Sequence, residues 1–353
     1  MTLQVIVSIF LFAASSFAQT DTILTVQHFS TLPSLSIRAL EVVGENKVWF
    51  AANHGTWGYT EDSGKSWHID SIKVDTIFPE FRSIAVLNDS TVLLLSTAFP
   101  AFLFKTTNKG KTWRSVYRNF DKNIFFDSML FFDQSRGMAV ADPLDGHFYF
   151  LSTMNGGDSW TMEGGHAFSN SYSAQGEAFF AASNSNIAFH NEHVWFATGG
   201  TQARVLSPVT VDGQGKFLSY STPIAQGSKM SGIFSMDFIN DSIGLIGGGN
   251  YEKTDASITS LAITNNGGVT WKSIKSTKPF FVSCVQFRNS GNDFMTTGHD
   301  GTFLGNYTTE KAREIKDANG KSLKFHTLRF SPSGKKVWLA GSKGEIAFIE
   351  LNK

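Results

Sequence analysis

The sequence predicts an all-β chain closed into a ring, a seven-bladed β-propeller with four strands per blade. Three observations predict it. An eight-residue phrase returns four times. A pair of short apolar strands returns seven times, at roughly the 45 to 50 residue spacing of a propeller blade. The tail Glu345-Ile-Ala-Phe-Ile-Glu-Leu351 supplies a third strand to the last blade, and Ile23-Leu-Thr-Val-Gln-His-Phe29 is placed to supply its fourth. Joining the two ends removes the open sheet edges of an unclosed ring.

The repeated phrase reads Thr60-Glu-Asp-Ser-Gly-Lys-Ser-Trp67, Thr106-Thr-Asn-Lys-Gly-Lys-Thr-Trp113, Thr153-Met-Asn-Gly-Gly-Asp-Ser-Trp160 and Thr264-Asn-Asn-Gly-Gly-Val-Thr-Trp271. Its key positions are Asp62, Gly64 and Trp67; Asn108, Gly110 and Trp113; Asn155, Gly157 and Trp160; Asn266, Gly268 and Trp271. Asp or Asn accepts hydrogen bonds from the backbone two residues on, and Gly supplies a positive φ that closes the hairpin. The Trp then opens the returning strand and needs a neighbouring sheet to cover it. A weakened copy, Thr210-Val-Asp-Gly-Gln-Gly-Lys-Phe217, has Gln214 in place of the expected Gly.

These four phrases resemble the Asp-box, or BNR, propellers. Within that superfamily the chain is most similar to the photosystem II stability and assembly factor group and its secreted bacterial relatives, and less similar to the sialidases. The resemblance implies a structural role for the boxes. It also implies an assembly-factor-like function in which a basic patch holds a partner protein, an expectation that only Arg38 and Arg82 match here.

Seven first strands can be aligned, starting at Arg38, Arg82, Asp127, Glu177, Phe234, Ser283 and His326. The seven second strands start at Val48, Val92, Gly137, Val194, Ile243, Asp293 and Val337. Alternating strand direction puts the starts of first strands and the loops after second strands on one end of the ring. The boxes lie on the other. The mouth column is therefore Arg38, Arg82, Asp127, Glu177 and His326, joined by His54, Asp142, His299 and Asp300 from the second-strand loops. Arginines, acids and histidines around one channel mouth suit a protein segment or a small anionic or sugar-like ligand. The alternative is a glycoside hydrolase or a lectin on the same face, with Asp127 and Glu177 as the carboxyl pair.

Residues 3 to 14 form the only long apolar run, and Ser16-Phe-Ala18 ahead of Gln19 is a small-x-small cleavage site. Residues 1–18 therefore read as a signal peptide, and 19–353 as one propeller domain, secreted or periplasmic and monomeric, with no membrane span once the leader is removed. Thirty basic and 30 acidic residues lack the positive excess of a nucleic-acid binder. The single cysteine, Cys284, cannot form an internal disulfide and falls in a predicted innermost strand as a small buried hydrophobe. No metal is expected, since His190 and His193 lack a third ligand. Asp142-Pro-Leu-Asp-Gly146 reads as a turn, and Gly244-Leu-Ile-Gly-Gly-Gly249 is not followed by a helix, so no cofactor is expected. The longest irregular stretch is Gly164 to Gly176, between blades three and four.

Overall fold

A computed structural model describes residues 22–28, 35–163, 171–211 and 214–351. The expected leader, residues 1–18, lies outside the described residues, as do Asp212 and Gly213 of the weakened box. All elements of regular structure among the described residues are strands, gathered into seven sheets. No helix there is long and apolar enough to cross a membrane.

The innermost strands are Ile37–Val42, Phe81–Val86, Phe126–Phe131, Ile187–His190, Ser231–Phe238, Cys284–Phe287 and Thr327–Phe330. Each touches the next in order, and the last touches the first, so the ring closes. Thr22–His28 pairs antiparallel with Glu345–Glu350 as the outermost strand of blade seven, as expected from the two chain ends.

The side-chain pattern explains the ring. Strands buried on both faces alternate their side chains between the two neighbouring blades. Seven apolar clusters result, one in each blade-to-blade interface. Blades one and two share Trp49, Trp57, Phe81 and Phe102; blades three and four share Phe148, Phe150, Phe196 and Phe217. An eighth cluster, Phe180, Ala182, Phe234 and Phe281, lies apart from these interfaces.

The four boxes make the same turn. Gly64, Gly110, Gly157 and Gly268 each donate their N–H to the Thr hydroxyl four residues back, at 2.9 to 3.0 Å. Asp62, Asn108, Asn155 and Asn266 each accept from the amide four residues on, at 2.9 to 3.0 Å. Besides a φ of +82°, Gly110 has a second constraint: a Cβ there would come within 2.1 Å of the Trp57 ring of blade one. Trp67 likewise reaches Trp338 of blade seven, ring centres 6.3 Å apart. The boxes thus pin each outer hairpin and help fasten it to the preceding blade.

Blade four corrects one expectation. Its first strand is Ile187–His190, paired with His193–Ala197, and not Glu177–Ser183. Only Glu177–Ala178 is extended, pairing with Gly199–Gly200 at the edge of the blade five sheet. The run Ala178-Phe-Phe-Ala-Ala182 is apolar because it packs at a crowded junction, not because it alternates between two blade faces. In the same blade, Arg204–Val211 pairs residue for residue with Gln214–Ser221.

Candidate functional site at the channel mouth

The site is built on a repeated irregularity. In blades one, two, three and five the innermost strand skips one residue of its pairing register near the mouth, and the skipped residues are Arg38, Arg82, Asp127 and Phe234. A bulge leaves one residue unpaired in the ladder and re-aims its side chain, here at the end of the ring where blades converge. In blade four the matching position is Ser185, because Asn186 faces Ala197 as Ala39 faces Ala51.

The channel is filled by the chain itself. After blade three a strap, Ser171 to Asn186, crosses the mouth and dips along the axis before becoming the first strand of blade four. Its backbone and small polar side chains reach all six other blades. Arg38 of blade one donates to Ala182 O at 3.5 Å, and Arg82 of blade two to Ala181 O at 3.4 Å. Asn184 donates to Ile84 O and accepts from Met129 N, and Ser128 donates to the Asn186 side chain. The Ser185 hydroxyl meets that of Ser235 at 2.8 Å, Ser183 donates to Ser283 O at 2.7 Å, and Thr327 donates to Ser183 O. Deeper still, the buried Arg329 guanidinium donates to the carbonyls of Ser183, Asn184 and Leu328 and stands 3.7 Å from Glu41. Cys284 is buried and donates its thiol to Leu328 O at 3.7 Å.

Several residues expected at the mouth share one electrostatic neighbourhood. Burial and the adjacent Arg82 lower Arg38 to about 10. Burial, with Arg38, Arg82 and His299 nearby, pushes His326 down to about 3, so its imidazole is neutral. His299 stacks on Phe281, ring centres 4.8 Å apart, and meets Tyr251 edge-on at 5.0 Å. Asp127 is 1% exposed, and neither of its carboxyl oxygens has a hydrogen-bond partner. The Ala181 amide makes only a weak contact with it. Burial and neighbouring Asp142 raise its pKa well above the usual carboxylate range. Burial also lifts Asp142 to about 6, although its Oδ1 accepts the Phe179 N–H at 2.9 Å.

Other expected residues are placed differently. Glu177 is sealed into the wall: Arg204 grips both oxygens at 2.8 and 2.9 Å, and Thr198 and the Ala174 amide take the remaining lone pairs. It is not at a first-strand start, and it has no oxygen left for proton transfer to a substrate. Asp300 props the site from behind, accepting from the Phe281 amide and the Thr254 hydroxyl at 2.9 Å. His54 lies on the outer rim of blade one, in a separate cleft of about 470 Å³ with Asp70 and Phe78. On the box face, His190 and His193 both turn their Nδ1 toward Asp241, at 2.7 and 3.6 Å.

The sequence reading missed the aromatic character of this face. Phe78, Phe99, Phe120, Tyr172 and Tyr251 are 43 to 63% exposed, and every one sits in a loop at the mouth end. Glu80, which accepts from Arg82 at 2.5 and 2.8 Å, was also missed. The signal available was Phe78, Phe99 and Phe120, each next to Pro or Asp in a turn.

No family model matches the chain, and no curated protein does. Solved structures do match in fold. One is YCF48 bound to D1 peptide, at 12% identity and a TM-score of 0.64, covering 96% of this chain and 100% of that one. Another is YCF48 from Cyanidioschyzon merolae, at 13% identity and 0.66, covering 93% and 99%. The WD40 repeats of RRP9 align at 13% and 0.62, covering 95% and 99%. At such identities the likeness is one of architecture: this chain is a seven-bladed propeller.

Proposed function

We propose that the protein is an exported, non-catalytic propeller of assembly-factor character that binds a segment of a partner protein across its mouth face. The observation that carries this reading is the set of exposed aromatic side chains on the same end of the ring as Arg38 and Arg82, with Tyr251 beside Arg38. Aromatic and Arg side chains are what protein interfaces concentrate. The Arg38 guanidinium makes one long bond to the strap, and the residue is half-buried rather than sealed. The filled channel favours a partner lying over the face rather than threading through it. A propeller of the same fold, YCF48, has been solved bound to a D1 peptide, which supports a peptide as the kind of partner but not that peptide in particular.

Panning a displayed peptide library against the protein tests the proposal. Enriched peptides are expected to lose tenfold or more in affinity for Arg38→Ala and for Phe99→Ala, and nothing for Trp271→Phe on the box face. Unchanged binding in both mouth variants would remove this face from consideration. Turnover of a glycoside panel that disappears in Glu177→Gln would overturn the non-catalytic reading.

A further inference from the structure

We propose that a cleft beside the strap receives one cationic side chain, lysine or arginine, from the segment bound across the mouth. This rests on the mouth face being the binding surface. The cleft holds about 610 Å³ between the strap and the end of the Gly137–Leu144 strand of blade three, which carries Asp142 in the strand and not, as the sequence suggested, in a turn that spans Asp142 to Gly146; Pro143, Ser173, Gln175 and Gly176 are among its walls and Lys229 of blade five is on its rim.

Its inner wall is Asp142. One oxygen accepts the Phe179 N–H, and no donor among the described residues reaches the other. Behind it lies Asp127, whose two buried oxygens have at most a weak contact from the Ala181 amide. Unmade acceptors in the interior are costly, and two neighbouring carboxyls without a bound cation can be relieved by a proton or by an incoming positive charge.

The charges around the pair leave that role open. Arg82 supplies a field, but its Nε and Nη2 go to Glu80 and its Nη1 to Ala181 O. Glu177 also lines the cleft, yet Arg204 already neutralises it. Lys229 is the one cation lining the cleft, and it is exposed to solvent. With no ligand bound, burial lets Asp142 keep a proton up to about pH 6. A guanidinium or ammonium brought into the cleft replaces that proton.

The experiment is a ligand-observed NMR titration at pH 7.5 with Nα-acetyl-arginine amide and its neutral citrulline counterpart. The arginine compound is expected to bind at least tenfold more tightly. Asp142→Asn, which keeps an acceptor for Phe179 and so keeps the strap seated, is expected to lose that preference. Lys229→Ala, which removes a competing cation, is expected to tighten binding about threefold. Affinity should fall roughly tenfold per pH unit below about 6, as Asp142 takes up its proton. Equal binding of citrulline, weaker binding in Lys229→Ala, or an indifferent Asp142→Asn would each overturn the proposal. Library peptides that lack a basic residue and still depend on Arg38 and Phe99 would overturn the cleft while leaving the mouth face intact.

Discussion

The box turns and the strap are opposite uses of small polar residues. The turn at the heart of a box is local: the bonds of its Thr and Asp or Asn side chains join residues two to four apart, and four nearly identical copies serve four blades. The strap is global. Ser183 to Asn186 bond residues up to 146 positions away, and the segment occurs once. Repetition therefore marks what builds the ring, and the departure from repetition in blade four marks what completes and caps it.

That contrast can be broken most directly at Arg329. Arg329→Leu removes three donors to the strap and backbone and leaves Glu41 and Asp237 without their cation. Three hydrogen bonds from a buried charged donor, lost together, cost about 3 to 5 kcal/mol, to be read by urea unfolding. Asn184→Ala should cost about 2 to 3 kcal/mol, since it strips a buried donor and acceptor that serve blades two and three. If either cost no more than a box substitution, the strap would be ornament rather than structure.

A titration sharpens the same point. Burial raises Asp237, under the strap, to about 6 from an ordinary value near 4. A raised folded-state value means its contribution is fully present below the unfolded pKa and is lost as pH rises through about 6. The difference in unfolding free energy between pH 4 and pH 7 should therefore shrink by about 2 kcal/mol in Asp237→Asn relative to wild type. An unchanged difference would show that Asp237 is well hydrated.

The smallest effect belongs to the boxes. Thr60→Val removes the acceptor for Gly64 N–H and should cost about 1 kcal/mol. The same change in Thr106, Thr153 or Thr264 should match it closely, because the geometry is shared. Four unequal losses in thermal melts would mean that the boxes are not equivalent.

The parts legible in the sequence were those that repeat. The Asp, Gly and Trp spacing exposed the hairpins, and the second-strand column from Val48 to Val337 gave the register. The end-to-end closure through Thr22–His28 followed from a last blade one strand short. Alignment also brought Arg38, Arg82, Asp127 and His326 to one end, although their bulged geometry was not foreseen. Blade four was misread for a physical reason. Ala178 to Ala182 has the hydrophobicity of a strand, whereas the true first strand, Ile187-Ala-Phe-His190, is four residues long and flanked by Asn. The run Ala181-Ala-Ser-Asn-Ser-Asn186 held the clue, since no side chain in it is larger than Asn. Only a narrow passage asks for that.

The strap also bears on how the molecule comes into being. It emerges from synthesis ahead of blades five, six and seven, yet Ser235, Ser283, Thr327 and Arg329 are among its partners. Its final seating must wait until the whole circle has been drawn shut. A linear array of repeats can grow from any neighbour outward; here a keystone set early is locked late, so truncation after blade six should leave the first three blades without their central fastening as well.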